Sequence, residues 1–367
     1  MRDSTASISM TTSDIQFPEA NELTKHLFAT LKRHPKRIVF TEGEDERVIH
    51  AAAQLVKMEI IAPILLGDKN RIRAMAVRLG VSLKWINVME PARSSDLDLF
   101  CKRLEKTERY RGREVVDARE MMARPHNFAA MMVQYGHADG MVSGNQANPA
   151  SIYRSLMNFV KKDPNAPKLF SVVAMVAPHL KHFGSEGMLF LTDCGVNPEP
   201  TVEDLAGFAV ETGKLAEHFM GHPPRVAMLS HSTHGSMPSN SSKRVAAAAA
   251  LARQKARGQR LDISIAGEVQ ADVALDLAAA EVKLKDKRAE KSADVLVFPN
   301  LDSAHISFKL LEHVAGAQVY GHLLCGLTRP AAQVPKTVSV ESLIGTAALV
   351  GVEAIKFREI YPDGEVV

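Results

Sequence analysis

Cysteine is scarce in this 367-residue chain: three residues, Cys101, Cys194 and Cys325, lie too far apart for a disulfide framework or a thiolate metal cluster. A reducing, cytoplasmic setting is expected. Aromatics are 5% of the chain, with a single Trp, and no apolar run approaches the ~18 residues of a membrane span, so no membrane partner is expected. Opposite charges nearly cancel at a net +3, and the basic strip at 283–288 reads as a solvated helix face, which argues against nucleic acid. The chain also lacks a Walker loop, a strand-borne GxGxxG, HExxH and GxSxG. Their absence excludes the common triphosphatases, simple dinucleotide dehydrogenases, zincins and α/β-hydrolases. His231 and His234 are three apart with no third ligand in view, so no metal is expected.

What is present is a repeated alternation of short apolar strands and amphipathic helices. Arg37–Phe40, Ala62–Gly67, Trp85–Val88 and Ala138–Ser143 read as strands, each near a helical pattern. That pattern predicts an α/β fold with a mainly parallel sheet and helices on both faces. The length exceeds what one core usually serves, and KKDPNAPK at 161–168 reads as a domain crossing. Phe170–Val176 and Met188–Leu191 read as a hairpin-like pair, Thr201 and Asp204 as the capped start of a helix that Gly221 ends, Val273–Leu277 as a further helix, and Gln318–Leu324 as the last clear strand. Residues 1–14, half Ser or Thr, are expected to be a flexible tail.

The stretch RVAMLSHSTHGSMPSNSSK, residues 225–243, is the chemically richest. A strand runs into a hydroxyl-rich loop and then into a helix N-terminus, where unpaired amides and the helix dipole favour an anion. Ordinary helix capping would use the same residues. Three other polar loops end strands: SGNQANP, TDCGVNPEP and FPNLDSAH. Ligands of open α/β sheets bind at carboxyl ends of strands, so the four loops are expected to converge on one cleft, with Arg154 and Arg329 nearby. Hydroxyls, Asn, Asp and arginine suit a phosphate or a small phosphorylated substrate.

In their order and spacing, TEGEDERVIHAA, APILLG, ADGMVSG, TDCGVNPEPTVEDLA, RVAMLSHSTHGS, VLVFPNLDSAHISFKL and GLTRP resemble the phosphate acetyltransferases and phosphate butyryltransferases over residues 37–350. The resemblance implies two α/β domains of the isocitrate/isopropylmalate-dehydrogenase-like type with an interdomain cleft. The expected division is 15–163 plus 323–367 for the first domain and 164–322 for the second. It further implies a homodimer in which coenzyme A attacks an acyl phosphate directly, with acyl-CoA and phosphate as small-molecule partners and no separate cofactor. The hydroxyl-rich loop resembles the family's phosphate-binding loop, which assigns Ser230, Ser232, Thr233, Gly235 and Ser236 to substrate, joined by Asn197, Asp302 and Arg329 from the other loops. Arg154 falls on an arginine that family members use for the substrate.

The chain departs from the family where relatives carry a catalytic Ser, Arg and Asp. Those positions hold Pro335, Lys336 and Ser342. Lys336 keeps the charge without the bidentate fork, Pro335 has neither hydroxyl nor amide proton, and Ser342 is no general base. A further family arginine aligns with Glu108 or Arg109. Two readings follow. In one, the protein is an acyltransferase in which Lys336 and Arg154 supply charge and His234, or His231, takes the thiol proton. In the other, it is a catalytically weak acyl-CoA-binding module, similar to the phosphotransacetylase-like domain of hybrid malic enzymes.

Overall fold

The structure, a computed structural model, describes residues 20–104, 117–164, 166–284 and 292–360. The expected tail at 1–14 and the alternatives Glu108 and Arg109 lie outside the described residues. The chain opens with α1 (Glu22–Arg33), β1 (Lys36–Phe40), α2 (Glu46–Lys57), β2 (Ile61–Leu66), α3 (Lys69–Leu79) and β3 (Asn87–Met89). There follow α4 (Leu97–Leu104), α5 (Ala118–Ala123), α6 (Pro125–Gln134), β4 (Gly140–Ser143) and α7 (Pro149–Phe159). Next come β5 (Phe170–Val176), β6 (Met188–Thr192), α8 (Val202–Met220), β7 (Arg225–Leu229), α9 (Asn240–Gly258) and β8 (Ser264–Val269). The last elements are α10 (Ala271–Leu275), α11 (Leu277–Lys283), β9 (Val295–Val297), α12 (Leu301–Val314), β10 (Gln318–Cys325), β11 (Ala331–Gln333) and α13 (Val340–Ile360).

Local chemistry sets most of these boundaries. Asp45 and Asp68 accept backbone N–H groups at the starts of α2 and α3. Thr201 and Asp204 form a reciprocal capping box on α8, and Gly221 closes that helix at φ 73°, a conformation that costs glycine nothing. Three expectations shift. Trp85 turns with φ 69° and is largely exposed, so the third strand begins at Asn87 instead. The expected helix at 273–277 is two helices broken at Asp276, whose carboxylate caps the second. And Gln318–Leu324 is not the last strand: Ala331–Gln333 adds β11, too short and too weak in β-propensity to stand out from sequence.

All eleven strands form one sheet, ordered β3-β2-β1-β4-β11-β10-β5-β6-β9-β7-β8. The first five run parallel. β10 is antiparallel to both β11 and β5, and β5 to β6, after which β9, β7 and β8 run parallel with β6. Three reversals therefore point β6, β9, β7 and β8 opposite to β1 and β4. The 161–168 crossing links α7 to β5, whereas the expected junction at 322/323 falls inside β10.

One apolar core is continuous over a whole face of the sheet, with buried residues from α1, α2, α8, α9 and α13. Its centre is α13, where Gly345 lets the Tyr320 ring approach so closely that a Cβ would sit 2.3 Å from it. On the opposite face the core is split. α4, α6 and α7 cover one half, α10, α11 and α12 the other. Between these clusters the sheet carries a polar seam. No helix of the described residues is long and apolar enough to cross a membrane.

Candidate active site

The seam is built around Asp193, at the carboxyl end of β6. Its carboxylate accepts the Ser171 hydroxyl at 2.5 Å, the Ser171 amide at 2.9 Å, and the amides of Gly195, Val196 and Asn197 at 3.2, 3.2 and 2.8 Å. The Asn197 carboxamide donates to the same group at 2.6 Å and to the Leu169 carbonyl at 2.9 Å. Asn197 thus fixes the loop in place. A side chain at 195 would crowd the seam: a Cβ there would lie 3.0 Å from His322 Nδ1, 3.0 Å from the Tyr153 hydroxyl and 3.2 Å from the Ser171 hydroxyl. Tyr153 reaches the seam from α7 and donates to Gln333 on β11 at 3.0 Å. His322, on the irregular part of β10, has a buried Nδ1 with no hydrogen-bond partner among the described residues. Burial, with His305 and Lys309 adding to it, pushes its pKa down to about 3, so the ring is neutral at pH 7.

A second polar cluster sits at the carboxyl ends of β1, β4 and β11. Glu42 accepts the Thr41 hydroxyl at 2.6 Å and the Gly144 amide at 3.0 Å; burial nevertheless holds its pKa above the ordinary carboxylate value. Arg47 ties the cluster together. It pairs with Asp45 and donates to the carbonyls of Asn145, Lys336 and Val338 at 3.3, 2.7 and 3.1 Å.

Strand direction sets how the four loops are arranged. The loops after β6, β9 and β7 share one edge of the sheet, where Arg244 of α9 joins Glu199 to the Pro299 carbonyl. SGNQANP follows β4, which points the other way, so it lies at the opposite edge with the 334–338 segment. Gln333, packed beside Gly144, and Tyr153 of α7 link that loop to the Gly195 loop.

In the hydroxyl-rich loop most of the amides from Ser230 to Met237 are taken within the protein. Glu268, at the end of β8, places its own carboxylate inside the loop and accepts the Gly235 amide at 2.6 Å and the Ser232 hydroxyl at 3.1 Å. The amides of Ser232, Thr233 and Met237 go to loop hydroxyls, and those of His234 and Ser236 to carbonyls. Ser232 and Thr233 are buried; His231, His234, Gly235 and Ser236 are exposed, and Ser230 is half-buried. His234 is held at φ 47° with its ring in solvent.

The remaining candidates are dispersed. Asp302 is exposed in the first turn of α12. Arg329 lines a cavity of about 450 Å³ with Glu211, Lys214, Cys325, Glu353 and Lys356, on the α8 and α13 side of the sheet. Arg154 lines a separate cavity of about 200 Å³ with Arg124, His126, Ser151 and Asn158, between α7 and the start of α6.

Residues 22–350 match the phosphate acetyl/butaryl transferase family. The chain belongs to this phosphate acyltransferase family. It is 30% identical to the phosphate acetyltransferase of Clostridium acetobutylicum over 91% of this chain and 98% of the relative, and 32% identical to that of Acetivibrio thermocellus over 88% and 95%. The fold is similar to the EutD phosphotransacetylase from Staphylococcus aureus, with a TM-score of 0.80 and 31% identity over 90% of this chain and 98% of that one. It is equally similar to a phosphotransacetylase from Streptococcus pyogenes, with a TM-score of 0.81 and 29% identity over 90% and 99%.

In this phosphate acyltransferase family member, the segment with Pro335, Lys336 and Ser342 crosses the β1, β4 and β11 cluster. Pro335 accepts the Val338 amide in a tight turn, and Arg47 grips the Lys336 backbone while the Lys336 side chain is exposed. Ser342 sits in the first turn of α13, its amide donating to the Ser339 hydroxyl. Sequence reasoning missed Glu268, Glu42, Tyr153, Gln333 and His322. Glu42 lay inside a motif already singled out and Tyr153 directly beside Arg154, while Glu268 closes a strand in AGEVQ with no local sign of its partner loop.

Proposed function

We propose that this chain catalyses the reversible transfer of an acetyl or short acyl group between coenzyme A and phosphate. The observation that carries this is the family match over residues 22–350, covering nearly the whole length of relatives named phosphate acetyltransferase. The reaction site is the cleft over the polar seam, between the part of the chain at 15–163 plus 323–367 and the part at 164–322.

In the forward step the coenzyme A sulfur attacks the acyl carbon. A C–S bond forms, the C–O bond to phosphate breaks, and phosphate leaves with that electron pair. The thiol proton passes to a base, because a thiol near pKa ~8.5 is mostly protonated at pH 7. His234 takes that role: its imidazole is exposed on the loop at the end of β7. Arg154 and Lys336 supply positive charge to the departing phosphate, and Ser230, Gly235 and Ser236 border the same loop, with Ser232 and Thr233 shaping it from beneath through Glu268 and Gln270. Asn197 holds the facing loop and Asp302 stands exposed at the start of α12, while Arg329 lines the separate cavity on the α8 and α13 side of the sheet. Coenzyme A is a substrate in this scheme, and no separate cofactor takes part.

The working form is a cytoplasmic homodimer. Support for the second copy is an apolar stripe on α12, where Ile306, Leu310 and Val314 fall four apart and are 58%, 57% and 82% exposed. A soluble monomer gains nothing from such a stripe. The decisive experiment is coenzyme A-dependent consumption of acetyl phosphate by the purified chain, repeated with butyryl phosphate and with His234→Ala. A His234→Ala enzyme as fast as its parent would remove His234 from the mechanism.

A further inference from the structure

The cavity beside Arg154 has a composition that the Ser/Thr loop lacks. Its lining includes two guanidinium groups, Arg124 and Arg154, the His126 imidazole, and the polar side chains of Ser151 and Asn158, and no acidic side chain among the described residues lines it. The exposed Arg154 side chain makes no hydrogen bond or ion pair among the described residues. The walls are set from both sides: Ser151 and Asn158 lie on α7 with Arg154, and the Ser155 hydroxyl donates to the His126 carbonyl at 3.0 Å, locking α7 to the start of α6. Arg124 is the residue before that helix. Its one ion pair among the described residues is with Glu120 at 3.2 Å, with both side chains largely exposed, a contact too weak to hold it against a better anion. The cavity, about 200 Å³ and open to solvent, is large enough for a phosphoryl group.

We propose that Arg124 is a second phosphoryl-binding arginine. With Arg154 it clamps inorganic phosphate, or the phosphate end of the acyl phosphate, in this cavity, and it supplies the guanidinium that Lys336 does not. Two forks converging on one phosphate give directional hydrogen bonds that a lysine ammonium cannot copy. The burial of His126, together with Arg124, lowers its pKa, so the ring stays neutral and can donate one N–H to the anion without adding charge. Ser151 offers a hydroxyl on the same side. The proposal rests on the acyltransferase reading for its substrate, and on the cavity alone for its anion.

The test is therefore run in two arms on the full chain. In the first, binding of inorganic phosphate is measured directly by calorimetry for the parent, Arg124→Gln, Arg124→Lys, Arg154→Gln and Glu120→Gln. In the second, KM for phosphate and KM for acetyl-CoA are measured for the same proteins in the acetyl phosphate-forming direction. The expected result is a tenfold or larger loss of phosphate affinity in Arg124→Gln and Arg154→Gln, with a matching rise in KM for phosphate, KM for acetyl-CoA unchanged, and partial recovery in Arg124→Lys. Glu120→Gln, which frees Arg124, should tighten phosphate by up to about fivefold. Phosphate binding unchanged in Arg124→Gln, or absent in the parent, overturns the proposal. Phosphate binding that depends on Arg124 in a parent without turnover upholds the clamp and counts against the acyltransferase reading.

Discussion

Replacing Asp193 by Ala tests whether the polar seam is held by one carboxylate. The residue accepts six hydrogen bonds, two of them from Ser171, which has no solvent exposure. The other four donors, on Gly195, Val196 and Asn197, can turn to water once the loop loosens. The two on Ser171 cannot. Stranding two buried donors, at about 1–3 kcal/mol each, gives a loss of about 4 kcal/mol. At about 2.1 cal/mol/K of unfolding entropy per residue, a chain of 367 residues changes its melting temperature by about 1.3 °C per kcal/mol, so Asp193→Ala should melt about 5 °C below its parent. Asp193→Asn keeps one acceptor oxygen of the same shape and should lose less than half of that. The assay is differential scanning calorimetry at matched concentration and pH. An alanine variant melting within 1 °C of the parent would refute the claim that this carboxylate organises the seam.

Further expectations follow from the same geometry. Gly195→Ala sets a methyl group 3.0 Å from both His322 and Tyr153, and should cut acetyl transfer at least tenfold for a melting shift under 3 °C; unchanged turnover would move the cleft elsewhere. Burial raises the pKa of Glu42, so the folded state prefers the protonated acid: this group's contribution is most favourable below the unfolded carboxyl pKa and is lost as pH rises through the folded one. Glu42→Gln should therefore raise the melting temperature at pH 7 and leave it nearly unchanged at pH 4, measured by calorimetry across that range; the opposite trend would contradict the assignment. Leu310→Lys should convert the dimer to monomer in light scattering if α12 forms the interface. Combining Pro335→Ser, Lys336→Arg and Ser342→Asp should raise turnover at least tenfold if those three positions limit the rate.

Much of the fold was legible because strand-helix alternation and caps are local signals. Thr201, Asp204 and Gly221 announced α8 from both ends, and Phe170–Val176 with Met188–Leu191 read correctly as a pair. Direction in the sheet was not legible. Nothing in Ala331–Gln333 marks it as the strand that separates β4 from β10, and the three reversals between β11 and β6, which leave β6 pointing opposite to β4, have no local signal. The site was read in the same uneven way. The motifs located the loops, but Glu268 answers Ser232 from 36 residues away, and Arg124 meets Arg154 only because α6 packs on α7. Those partnerships are products of tertiary packing, to which local residue patterns are blind.

The central claim is that this chain moves an acyl group between phosphate and coenzyme A despite Pro335, Lys336 and Ser342. Its most direct test is thioester formation from acetyl phosphate and coenzyme A by the purified protein, with acetyl-CoA binding measured on the same preparation. Multiple turnovers that saturate in both substrates are predicted. Tight acetyl-CoA binding with no thioester formed would contradict the account and leave a binding module in its place.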